Sequence, residues 1–430
     1  MFCRGGRARR GWGVLANMAH ARTWTVLGRL VFAGIGGGLV TVLLATGVQA
    51  ETVSLAQAFA RADTQGPVIA AAKARLDAAE GAARQAGAIP NPEIGMLAEN
   101  IEGSGIYRSF DAAQTTYSVS QRLELGGQRQ ARRSEAQAQA KAAGLRLSLA
   151  RAETAEAVQI RFAEALAADQ RAKLAREAVT RTQALAGVVQ TLVDAGREPP
   201  LRVLRARSEA AVALAQGRAA EAEAAASRRA LAALWGGPGE DLQLTGDALI
   251  TIQPAPLDPT AALTARIAES EAEAASAALE RARRLNFPDV TVQAGVRRFE
   301  DSGQRALVVG ASLPIPVWDR NRGGIAAAQA LLNAAELTRL AAMADAVRYG
   351  RDAEAALAAA KARLDAVETL TIPQAHEAAD LARQGYEAGK FGLLDVMDAQ
   401  AALNAVQTEQ LDARLALAKA QAARARLAAK

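Results

Sequence analysis

The sequence predicts a mainly α protein with a small transmembrane β part, and three observations carry that expectation. The chain repeats itself once at an interval of about 190 residues. Each copy contains a helical stretch too long for a compact domain. Ahead of each such stretch lie short runs of alternating apolar and polar residues, the period of a half-buried strand.

The duplication shows in turns and strands alike. Asp194-Ala195-Gly196-Arg197 matches Glu387-Ala388-Gly389-Lys390 at an offset of 193, and the run from Ser120 aligns with the run from Ser312 at an offset of 192. The expected organisation is a signal peptide at 1–50, a first repeat at 51–244 and a second at 245–430. Each repeat reads as helix, strand pair, very long helix, turn, helix. Strands are expected near 93–125 and 289–315, and long helical hairpins over 128–235 and 323–428. A period this long is not that of a small solenoid repeat.

The N-terminus carries six arginines before an apolar run at Leu30–Ala45, and Val48-Gln49-Ala50 offers the small residues a signal peptidase reads. Cleavage is expected before Glu51, whether translation starts at Met1 or Met18. A retained anchor is the alternative, but the run is shorter than the ~20 residues of a spanning helix. Losing residues 1–50 lowers the 51 basic residues to 45, equal to the 45 acidic ones. The mature chain is thus formally neutral, which argues against nucleic-acid binding. Cys3 leaves with the signal, so no disulfide or thiolate metal site is expected.

In the first repeat a helix is expected over Ser54–Ala88, stopped by Pro90 and Pro92. From Gln128 to Val193 there is no Pro and little Gly, a length of ~100 Å at ~1.5 Å per residue. The second repeat matches it between Gly323 and Ala388, interrupted by Pro373. Heptad-like seams, such as Leu357, Ala360, Leu364 and Val367, or Leu185, Val189 and Leu192, suit coiled-coil packing. Strands are expected at 93–101, 115–125, 289–299 and 305–315. Tyr117, Val119, Leu123, Leu307, Val309 and Leu313 would form a lipid face, with Gln121 an exception. Tyr107, Phe110, Tyr117, Phe287, Phe299 and Trp318 cluster in or beside these runs, as interfacial aromatics do. Four strands cannot close a barrel and open edges are forbidden in hydrocarbon, so several chains must pool their strands.

The duplicated plan resembles the TolC-type outer membrane factors over residues 51–430. Asn91-Pro92-Glu93, the Gln121–Arg129 run, Leu313–Gly323 and Tyr386–Gln400 are similar to the CzcC-like branch, associated with heavy-metal export. The resemblance implies a homotrimer with a twelve-stranded barrel in outer-membrane lipid and a helical tunnel through the periplasm. Its implied partners are a periplasmic adaptor and an inner-membrane RND-type pump. It further implies adaptor-contact tips at Gly196, Arg197, Gly389 and Lys390. Asp395 and Asp398 match the acidic ring at the closed end of such tunnels, and Tyr386 matches the gate tyrosine. Phe391 departs from the pattern, standing where a gate arginine is found in TolC. Arg202 and Arg205 lie 193 residues before the two aspartates and are expected to face them on adjacent helices, holding the entrance shut.

No enzyme signature is present, and neither a cofactor nor a metal site is expected: His376 and Met96, Met343 and Met397 show no ligand spacing. Cargo stays open between metal ions and other small molecules, since a conduit need not bind what it passes. The alternative reading is a periplasmic coiled-coil adaptor or scaffold, which would share the signal and the hairpins but should be built around a single hairpin.

Overall fold

A computed structural model of the chain describes residues 51–239, 242–248 and 257–430. The expected signal at 1–50 and its cleavage site therefore lie outside the described residues or at their edge. In chain order the elements are β1 (Glu51–Ser54), α1 (Leu55–Gln65), α2 (Pro67–Ala86), β2 (Glu93–Glu99), β3 (Gln114–Leu123), α3 (Gln128–Asp194), α4 (Pro200–Ala232) and β4 (Leu242–Thr245). There follow α5 (Leu263–Arg284), β5 (Val290–Phe299), β6 (Arg305–Ser312), α6 (Arg322–Ala366), α7 (Ile372–Glu387) and α8 (Leu393–Ala428).

The single helix expected over 54–88 is two. Pro67 lacks an N–H and disfavours helical geometry in the residue before it. Gly66 accordingly sits at φ −66°, ψ 126°, and Pro67 starts α2. The start at Ser54 is secured by a capping box: Gln57 N donates to Ser54 Oγ at 3.4 Å, and Ser54 N donates to Gln57 Oε1 at 2.8 Å.

The long helix α3 has 67 residues, which gives ~100 Å if straight. It is the common packing partner of the fold: α2, α4, α5 and α8 all run along it, and α5 and α8 also pack on α6. The seams are mostly alanine, as at Ala168, Ala172 and Ala224, so neighbouring backbones approach closely. The leucine seam read in the second repeat is a packing stripe, with Leu357, Ala360 and Leu364 against Ala413 and Leu417 of α8.

One larger core lies beside the parallel pair β1–β4, where Val53, Val158, Phe162, Leu231, Trp235 and Leu242 are buried together. Phe162 is fully buried, an aromatic contributing ~2–3 kcal/mol by desolvation alone. Neither this core nor the β1–β4 pair figures in the expectations above.

Pro373 produces a local change of helix type rather than a break. Residues Val367–Thr371 form one turn of π-helix between α6 and α7. The wider turn makes room for a ring that cannot donate a hydrogen bond. Glu368 in that turn accepts from Arg414 Nη2 at 2.7 Å and Gln410 Nε2 at 3.1 Å, both on α8. The Arg414 bond holds its carboxyl below the usual carboxylate range. Glu368 therefore adds stability that is complete above its unfolded pKa and lost as pH falls through the depressed folded value. Glu368→Gln is expected to unfold at lower temperature than wild type at pH 7, with the gap closing at an acid pH below the ordinary carboxylate range. Thermal melts at both pH values check this; a gap independent of pH would assign the effect to packing.

The sheet that the helices carry has the antiparallel order β2-β3-β5-β6. The strands stop short of the expected ends at 101, 125 and 315. Asn100 turns the chain away from β2 at φ 57°, and Pro314 follows closely on β6. All four strand ends at 93, 123, 290 and 312 face the helices, while the loops 100–113 and 300–304 close the opposite side. Gly127 (φ 80°) and Asn321 (φ 49°) both take left-handed backbone just before α3 and α6, so the chain turns from sheet to helix in the same way in each half.

Candidate membrane collar and periplasmic gate

Register sorts the sheet into two faces. Ile94, Val119, Ala294 and Val309 form one row across the strands, and Met96, Tyr117, Val296 and Leu307 form the next. These rows are apolar and exposed, with Leu307 at 76% and Val309 at 74%. On the opposite face the rows are Gly95, Ser118, Gly295, Val308 and Leu97, Thr116, Arg297, Ala306. An apolar outer face against a mixed, largely polar inner one is the pattern of a lipid-facing barrel wall. Ile94, Met96 and Val296 extend the lipid face beyond the residues read from sequence; their alternation was available in the same strands.

The aromatics flank this band on both sides. Phe287 and Trp318, with Ile315, are exposed at the helix side, and Tyr107 and Phe110 are exposed in the loop at the far side. Phe299 is a correction: it shares the inner-face row of Gln114. Gln121, the polar exception on the lipid face, is explained by its Nε2, which donates to Pro90 O at 2.9 Å and ties β3 to the segment before β2. Among the described residues, the outer strands β2 and β6 each have one edge without a partner.

At the other end of the helices the two expected turns have the same geometry. Gly196 and Gly389 take φ 72° and 71°, a conformation that costs a side-chain-bearing residue more. Arg197 N donates to Leu192 O at 2.9 Å and Lys390 N to Gly385 O at 2.8 Å, the bonds of a Schellman helix end. The tips hold together through an apolar cluster in which Val189, Val203, Ala206 and Leu393 are buried. Tyr386 and Met397 pack against it, so the tyrosine joins the two hairpins at this level.

The charged residues of the expected gate are exposed, on two helices that both pack on α3. Asp395 Oδ2 accepts from Gly392 N at 2.7 Å and so caps its own helix. Arg202 forms an ion pair with Glu198 at 2.6 Å. Among the described ion pairs none joins Arg202 or Arg205 to Asp395 or Asp398 within the protomer. Phe391 lies over Gly385, half-exposed. His376 is exposed on α7, and no group of His, Cys, Asp and Glu among the described residues has the geometry of a metal site. No described helix is long and apolar enough to cross a membrane.

A two-faced sheet with open edges, set on two very long helical hairpins, defines one protomer of an outer-membrane channel of the TolC-like fold. The chain belongs to the outer membrane efflux protein family, whose pattern matches residues 59–237 and 261–429, once in each half. It is 32% identical over 344 residues to the cobalt-zinc-cadmium resistance protein CzcC of Cupriavidus metallidurans, covering 78% of this chain and 80% of that one. It is 34% identical over 328 residues to the nickel-cobalt-cadmium resistance protein NccC of Alcaligenes xylosoxydans xylosoxydans, covering 72% and 74%. Among solved structures, a Pseudomonas aeruginosa membrane protein superposes with a TM-score of 0.76 at 20% identity, covering 87% of this chain and 89% of that one. CusC superposes at 0.74 with 18% identity, covering 86% and 90%. The chain is thus an outer-membrane efflux channel subunit that extends into the periplasm, and its family is one of transport channels.

Proposed function

We propose that three copies of this chain form the exit duct of a tripartite pump that expels heavy-metal cations. The observation that carries the trimer is the four-stranded sheet whose lipid face is complete while both of its edges are open. Unpaired edges are not tolerated in hydrocarbon, and three sheets supply a closed wall of ordinary size. An inner-membrane RND-type pump and a periplasmic adaptor provide the energy and the seal. The names of the relatives, which specify resistance to cobalt, zinc, cadmium and nickel, support divalent cations as cargo. Selection of the cation belongs to the pump, and the duct passes it onward.

The adaptor is proposed to meet the tips at Gly196, Arg197, Gly389 and Lys390. A photocrosslinker at position 390, in cells with a working pump, is expected to capture the adaptor; capture of none would remove the tips from the interface. The cargo is tested by deleting the gene and challenging the strain with cobalt, zinc, cadmium and nickel. The deletion strain is expected to be metal-sensitive, with resistance restored by the intact gene, and growth equal to wild type on all four would reject metal export.

A further inference from the structure

On the inner face of the sheet one arginine is held by three strands. Arg297 of β5 donates through Nε to Thr116 Oγ1 at 2.9 Å and through Nη1 to Gln114 Oε1 at 3.3 Å, both on β3. Its Nη2 lies 2.9 Å from Glu99 Oε2 on β2, an ion-pair contact rather than an aligned hydrogen bond. These contacts fix the guanidinium in place, so its charge cannot swing away from the space the face encloses. Both side chains keep part of their surface open, 30% for Arg297 and 40% for Glu99. The other charges on this face, Glu93 and Arg122, lie toward the helices, with Arg122 3.9 Å from Asp289.

We propose that Glu99 and Arg297 form a charge-balanced ring in the barrel lumen, in which the carboxylate removes the barrier to cations that the fixed arginine would otherwise raise. This rests on the channel reading and on its trimer. Repeated around the axis, the arginine alone would put three fixed positive charges in the path of a cation. The carboxylate beside each cancels it and leaves the exit passable to divalent cations. Rings of charged side chains set the ion preference of a pore in this way, through close-range Coulomb energy.

The test is the reversal potential of the purified trimer in a planar bilayer under a potassium chloride gradient. Glu99→Gln should shift the permeability ratio toward chloride, and Arg297→Gln toward potassium, each by at least about twofold. The double variant should return close to wild type, and Arg297→Lys should stay near it. Should Glu99→Gln fail to assemble, the Arg297→Gln and Arg297→Lys pair decides the matter. Equal reversal potentials in conducting variants would overturn the ring, even where heat stability falls, because that outcome is a strand tie and nothing more. A wild-type protein that forms no channel would instead overturn the channel reading itself.

Discussion

Val309→Arg should prevent the chain from assembling in the outer membrane. Val309 sits on the exposed apolar face, level with Ile94, Val119 and Ala294. An arginine facing lipid near the bilayer midplane costs roughly 2–4 kcal/mol, and a trimer would carry three of them. The neighbouring Val308 lies on the other face, in the row of Gly95, Ser118 and Gly295. Val308→Arg should therefore insert and change conductance instead. The check is the amount of membrane-inserted trimer recovered for each variant. Similar recovery of both would mean that the faces are assigned wrongly.

Neutralising Asp395 and Asp398, which we propose line the periplasmic entrance, should raise single-channel conductance. Asp395 and Asp398 lie one turn apart on the exposed face of α8, and three copies would place six carboxylates around the entrance. Because Asp395 caps its helix through Gly392 N, alanine would confuse gating with a cap loss of about 1 kcal/mol. Asparagine keeps the acceptor and removes the charge, so Asp395→Asn with Asp398→Asn is the cleaner variant. Arg202 and Arg205 are proposed to help close the entrance, although no described ion pair joins them to the aspartates within one protomer. Arg202 must leave Glu198 to pair with either aspartate. A single exposed pair is worth only ~0–1 kcal/mol, whereas a ring adds its members. Arg202→Ala with Arg205→Ala should also open the channel. An open aspartate variant beside an unchanged arginine variant would discard the pairing and keep the acidic ring.

Much of this architecture is written in local signals. Pro-free length gives α3, alternation gives the strands, and the Gly196 and Gly389 turns follow from the backbone a helix end needs. Other features have no local signature. The strand β1 is four residues long, and its partner β4 lies some 190 residues away, so neither registers as a strand on its own. Phe59, Phe162 and Trp235 read as sparse aromatics, yet they build a core because distant segments converge there. Gly66-Pro67 is a legible break inside an alanine-rich helix, outweighed in the sequence reading by the continuous helix-forming residues on both sides. The Pro373 interruption was legible, but the bonds that Glu368 of the π turn accepts from Arg414 and Gln410 of α8 were not. The inner-face position of Arg297 required the register of three strands. At the proposed gate, residue types and spacing indicate which groups share a height, but partners depend on groups nearby: Glu198 four residues from Arg202, and Gly392 three before Asp395.

The central claim is that chains of this sequence pool their sheets into one outer-membrane barrel. The most direct measurement is the mobility of the protein from fractionated cells in SDS gels, with and without heating. The account predicts a detergent-requiring species in the outer-membrane fraction that runs as a compact trimer unheated and, after boiling, as a monomer smaller than the 44.7 kDa full chain by the expected signal at 1–50. A water-soluble monomer in the periplasmic fraction, with mobility unaffected by heat, would contradict it.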